Sequence, residues 1–157
     1  MNDFKVLLRS SITALALSFT GASLADTPPS DDIALIERYF DRLTTVYESG
    51  SDADDVDALL SLMHPEVRYL HSRYGADLTR QSWRAAFVRN MDRGAYDDAP
   101  GLCVEIAASI AGYEHTAISY RYGREDSHGI CQPDNEPGML AVFWVEGGLI
   151  RQIEELW

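Results

Sequence analysis

The apolar pattern of this chain changes period once, near residue 100, and that change limits the fold more than any other feature. Before it, apolar residues recur at steps of three and four; after it, they alternate. The first pattern places Ile33, Ile36, Phe40, Leu43 and Tyr47 on one helical face, with Ser30 as N-cap, Asp31 and Asp32 in the first turn and Gly50 as the stop. A second helix is predicted over 52–63 on Val56, Leu59, Leu60 and Met63, because Pro65 cannot continue it. A short strand over 67–71 follows and ends at Gly75. Thr79 caps a third helix whose entry is stapled by Leu78 and Trp83; Trp83, Phe87 and Met91 share its face, and Gly94 closes it. Alternation then predicts strands over 102–111, 116–122, 140–145 and 150–157, with turns at Gly112 to Glu114 and at Gly147-Gly148. Three helices followed by a meander read as α+β, the helices packed on one face of a curved antiparallel sheet.

Residues 1–25 stand apart. Lys5 and Arg9 precede the apolar run Ile12 to Phe19, and Ser23 and Ala25 supply the small residues of a cleavage site. This is the pattern of a secretory signal peptide, the alternative being a buried N-terminal helix; it predicts a periplasmic or secreted protein spanning 26–157. The apolar run is too short to span ~30 Å of hydrocarbon, so membrane insertion is not expected. The formal charge is −12, and −13 once Lys5, Arg9 and Asp3 are removed, which disfavours binding to phosphate backbones. The two cysteines, Cys103 and Cys131, are expected to form one disulfide in an oxidising compartment, with two free thiols as the alternative. If the central strands pair around Gly112, Cys103 lies opposite a position near Gly123, and a short excursion of the loop 124–138 brings Cys131 to it. No His or Cys has zinc-site spacing, so no metal is expected.

The closing hairpin, Phe143-Trp144-Val145-Glu146-Gly147-Gly148-Leu149-Ile150-Arg151-Gln152-Ile153-Glu154-Glu155-Leu156-Trp157, together with "HS" before a glycine in Tyr69-Leu70-His71-Ser72-Arg73-Tyr74-Gly75, resembles the SnoaL-like branch of the nuclear transport factor 2-like superfamily. The resemblance covers nearly all of 26–157. It implies a cone-shaped sheet packed against the three helices around one central pocket. Members include ketosteroid isomerase, scytalone dehydratase, limonene epoxide hydrolase and polyketide cyclases, beside binding domains without chemistry, so function has to be argued from the site.

Strand parity selects the pocket residues. With Gly147-Gly148 as the turn, Trp144 is expected opposite Arg151, Val142 opposite Ile153 and Leu140 opposite Glu155 on the inward face, with Phe143 and Ile150 outward, where they would support a homodimer. In epoxide hydrolase-like members a carboxylate five residues after the hairpin isoleucine points into the cone, a count that lands on Glu155. It is either a desolvated pocket carboxylate or a rim glutamate paired with Arg151 or Arg121. The second carboxylate of that mechanism is missing, because Ser119 and Gly123 flank Arg121 at the required spacing. Val67 must be buried, so Tyr69 and His71 are expected inward with it, His71 as a base or as a core residue. Tyr47, Tyr120 and Tyr122 are pocket phenols or packed aromatics. The candidate catalytic set is His71, Glu155 and Tyr69; the pocket lining is Tyr47, Trp83, Phe87, Tyr120, Tyr122, Trp144, Ile153 and Trp157. Two functions follow: a cofactor-independent lyase or isomerase acting on a small, largely apolar molecule, or a non-catalytic ligand-binding or dimerisation domain.

Overall fold

The computed structural model describes residues 31–97 and 100–157. The leader expected over 1–25 and the cap expected at Ser30 lie outside them. Helix α1, Asp31–Val46, buries Leu35, Ile36, Tyr39, Phe40, Leu43 and Val46. Helix α2, Ala53–Leu60, is capped by Asp52, whose side chain accepts from the Asp54 and Asp55 amides while the Asp55 carboxylate takes the Asp52 amide. It is shorter than the sequence pattern suggests: Arg80 donates to the Leu60 and Met63 carbonyls at 2.5 and 3.0 Å, satisfying the helix end, and Met63 already begins a strand.

Strand β1, Met63–His71, turns through a 3-10 segment, Ser72–Tyr74, and Gly75 at φ +61 into β2, Ala76–Thr79. Too short to alternate visibly, β2 merges in sequence with the cap of α3, Arg80–Met91, where Thr79 and Ser82 form the box. Strands β3, Leu102–Ala111, β4, His115–Glu125, β5, Cys131–Pro133, β6, Met139–Glu146, and β7, Leu149–Glu155, complete one seven-stranded open sheet. Its order is β2-β1-β7-β6-β4-β3, with β5 on β4. The sheet is mixed where an antiparallel one was expected: β1 runs parallel to β7 and pairs Tyr69 with Ile153 and His71 with Glu155. A hairpin-only meander cannot supply that pair, because hairpins join strands antiparallel and β1 runs parallel to β7.

The α1 face fills the concavity of the sheet. Tyr39 and Phe40 meet Phe143 edge-on at 5.4 and 5.9 Å between ring centroids, and Phe40 lies 4.8 Å from Tyr120. Phe143 and Ile150, expected outward, are fully buried in this core. The cause is a bulge. Val145 pairs with Ile150 but Trp144 pairs with Gln152, so Arg151 is an extra residue and parity on β6 slips by one. Ala141 and Phe143, not Leu140, Val142 and Trp144, therefore oppose Glu155 and Ile153 on the core face. Trp144 turns outward, stacked on His115 at 5.8 Å with the Arg151 guanidinium over its ring. It is not a pocket residue.

Cys103 pairs with Gly123 as expected, and the Cys103–Cys131 disulfide joins β3 to β5 with Cα atoms 5.8 Å apart. Gly123 permits this crowding: a Cβ there would lie 2.3 Å from the Gln132 carbonyl oxygen and 2.7 Å from the Pro133 Cα, both backbone. Gly123→Ala is expected to destabilise the fold by about 1–3 kcal/mol and to loosen β5, measured by chemical denaturation and amide exchange over 131–133.

Candidate functional site

A cavity of about 330 Å³ opens between the helices and the concave face of the sheet. From α1 come Tyr39, Leu43 and Tyr47; from β1 and its exit turn, Tyr69, His71 and Tyr74; from α3, Trp83, Ala86, Phe87 and Asn90. Strand β4 contributes Tyr120 and Tyr122, and the end of β7 contributes Glu155 and Trp157. Of the expected set, Ile153 is buried beneath this surface without lining it, and Trp144 is on the opposite face.

His71 and Glu155 are partners in the parallel β1–β7 pairing, so their side chains leave neighbouring strands on the same face. Both are buried, at 3% and 4% exposure. Glu155 Oε2 accepts from the Tyr120 hydroxyl at 2.9 Å and from the Trp157 indole N–H at 2.7 Å. No cation pairs with it among the described residues, so the rim ion pair with Arg151 or Arg121 does not form. Arg151 instead binds Glu66 and Glu146, and Arg121 binds Glu105. Burial raises the Glu155 carboxyl above the usual glutamate value, against the two hydrogen bonds, which lower it.

Among the described residues, neither ring nitrogen of His71 has a hydrogen-bond partner. The ring is held by contact, 4.4 Å from Tyr74 and 4.6 Å from Trp157 between centroids. Burial, then the nearby Arg73 charge, lowers its pKa, so the imidazole is neutral near neutrality. A buried histidine without a protein partner forgoes two hydrogen bonds, which leaves its nitrogens available to a water or a ligand. The phenols of Tyr39, Tyr69, Tyr120 and Tyr122 are pushed upward by burial and then by the Glu155 charge, which keeps them protonated donors.

Tyr39, Tyr74 and Tyr96 also line the cavity, although no strand parity marks them. For Tyr39 the signal was present, three residues after Ile36 and four before Leu43 on the buried stripe. Tyr74 in a turn and Tyr96 beyond α3 carry no periodicity. Among the described residues, no helix is long and apolar enough to cross a membrane, and no group of His, Cys, Asp or Glu is placed to hold a metal ion.

No protein-family model matches the sequence, and no curated protein is significantly similar to it. Solved structures are. TerC co-crystallised with polyporic acid superposes with a TM-score of 0.54 at 14% identity, covering 82% of this chain and 92% of its own. A candidate isomerase of the SnoaL-like family from Agrobacterium tumefaciens gives 0.53 at 13% identity, with 80% and 95% covered. A candidate ketosteroid isomerase from Kribbella flavida gives 0.51 at 17% identity, with 81% and 77% covered. Identities this low carry the fold alone. The chain therefore has the nuclear transport factor 2-like fold, the fold of SnoaL-like and ketosteroid isomerase-like proteins.

Proposed function

We propose that the cavity takes up a small, largely apolar molecule and that Glu155 and His71 exchange protons with it, making the protein a cofactor-independent isomerase or lyase. The observation that carries this reading is the paired, buried placement of an acid and an unpartnered imidazole at one end of a tyrosine-lined space. Burial moves the two pKa values toward each other, Glu155 up and His71 down, which lowers the cost of passing a proton between ligand and either group. Tyr69 and Tyr122, whose hydroxyls make no hydrogen bond within the described residues, supply donors to an oxygen that gains charge. Fold neighbours include candidate isomerases, which agrees with this class without naming a substrate.

On this reading the protein acts in the periplasm or outside the cell, after removal of 1–25, and the disulfide suits that compartment. It also includes a homodimer over the outer sheet face, where Leu140, Val142 and Trp144, rather than Phe143 and Ile150, are presented. A monomer mass in sedimentation equilibrium would remove that part.

Native mass spectrometry of protein purified from its own compartment should reveal a retained molecule. On that molecule, His71→Ala and Glu155→Gln are expected to lower turnover by ~10²-fold or more. Unchanged rates in both variants would eliminate acid–base chemistry and leave a binding domain.

A further inference from the structure

The described lining of the cavity holds one buried acid amid aromatic rings. Seven of the chain's eight tyrosines line it, all but Tyr113, together with Trp83, Phe87 and Trp157. Aromatic faces carry the negative side of the ring quadrupole, and several of them around one space attract a cation. The described lining contains no lysine or arginine. The chain's one lysine is Lys5, and the guanidiniums flanking the sheet are engaged elsewhere: Arg68 with Asp77, Arg84 with Asp57, Arg121 with Glu105, and Arg151 with Glu66 and Glu146. Arg73 is exposed; its guanidinium lies over the Tyr74 ring, 5.8 Å from the centroid, and it lines a neighbouring cleft with Arg121, Asp134 and Glu136 rather than the cavity itself.

Among the described lining residues Glu155 is the sole carboxyl, and it is held by two neutral donors, a phenol and an indole. Neutral donors stabilise a buried carboxylate only in part; the missing element is a positive charge, whose absence leaves the ion costly. His71 does not provide it, since burial keeps the ring neutral, but its free nitrogen lone pair can accept an N–H. The charge of the whole chain, −12, draws cations toward the opening and repels anions.

From the aromatic lining, the unpaired Glu155 and the exclusion of basic side chains, we infer that the ligand is a small organic cation: an alkylammonium whose charged nitrogen sits between Glu155 and the tyrosine rings. This rests on the reading of the cavity as a ligand site and names the substrate class that the reading leaves open. A ligand with an anionic group meets no counter-charge inside. A neutral one leaves Glu155 as the empty cavity leaves it.

The test compares two probes of one shape, choline and 3,3-dimethylbutan-1-ol, in which carbon replaces the charged nitrogen. Isothermal titration calorimetry with the intact protein at neutral pH is expected to show choline binding at least about tenfold more tightly. Glu155→Gln is expected to bring the two within about twofold of each other. Equal or tighter binding of the alcohol to the unmodified protein overturns the inference and leaves the cavity reading standing. Binding of neither also overturns it, and if the native protein retains no molecule either, the cavity reading falls with it. The comparison on unmodified protein decides even where the variant folds poorly.

Discussion

Replacing Cys103 and Cys131 together with serine is expected to lower the free energy of unfolding by about 3 to 4 kcal/mol, the largest single loss short of hollowing the core. The bridge closes a loop with a sequence separation of 28, and the chain-entropy account gives a value of this size for such a loop. For a domain of this length the loss corresponds to roughly 10 °C in Tm. The effect should be local as well as global. Strand β5 has only three residues, and β4 is its sole partner in the sheet, so without the bridge its amides should exchange well before those of β4. Denaturant titration of the double variant beside the oxidised protein checks the magnitude. A change under about 0.5 kcal/mol would mean that the bridge constrains little.

Glu155→Gln is expected to stabilise the protein at pH 8, by on the order of 1 kcal/mol or a few degrees in Tm, although it removes the central acid of the proposed chemistry. Burial raises the folded-state pKa of Glu155 above its unfolded value, so the folded state holds this proton more tightly than the unfolded chain does. The stability contributed by the carboxyl is fully present below the unfolded value near 4.5 and is lost as pH rises through the folded one. Glutamine carries no charge to desolvate, and its amide oxygen can accept from Tyr120 and Trp157. The gain should therefore vanish at pH 4 and grow toward pH 8. His71 acts in the opposite sense: its folded pKa is depressed, so its contribution is present above the ordinary value of 6.5 and is lost as pH falls. A scaffold that becomes more stable when its central polar group is neutralised is one that maintains that group for use. A variant less stable than the parent at pH 8 would mark Glu155 as a structural residue.

Helices and strands were legible because their periods are strong: Ile36, Phe40 and Leu43 for α1, and alternation for β4 and β7. Tyr69 and His71 could be placed inward from Val67 alone, and the structure sets both on the cavity surface with Glu155. The parallel pairing of β1 with β7 was not legible, since nothing local to either strand records a partner more than eighty residues away. Nor was the bulge at Arg151, which has no glycine or other marker of its own and yet moves Trp144 out of the pocket and Phe143 into the core. Family counting from Ile150 reached Glu155 because it follows β7 alone, where the bulge is already included. Opposing β6 to β7 by simple subtraction failed because it assumes an unbroken ladder. As a group the tyrosine lining is not legible in the sequence, because its members come from α1, β1, the turn after it, the segment after α3 and β4, which meet only in three dimensions.

The central claim is that Glu155 and His71 form one buried, proton-exchanging end of an open cavity. An NMR titration of both groups tests it most directly, following the labelled carboxyl of Glu155 and the imidazole of His71, with Glu155→Gln and His71→Ala assigning the signals. The account predicts a Glu155 midpoint above 4.5 and a His71 midpoint below 6.5. A Glu155 midpoint at or below 4.5 with a His71 midpoint at or above 6.5 would contradict it, because both groups would then be solvated at the rim.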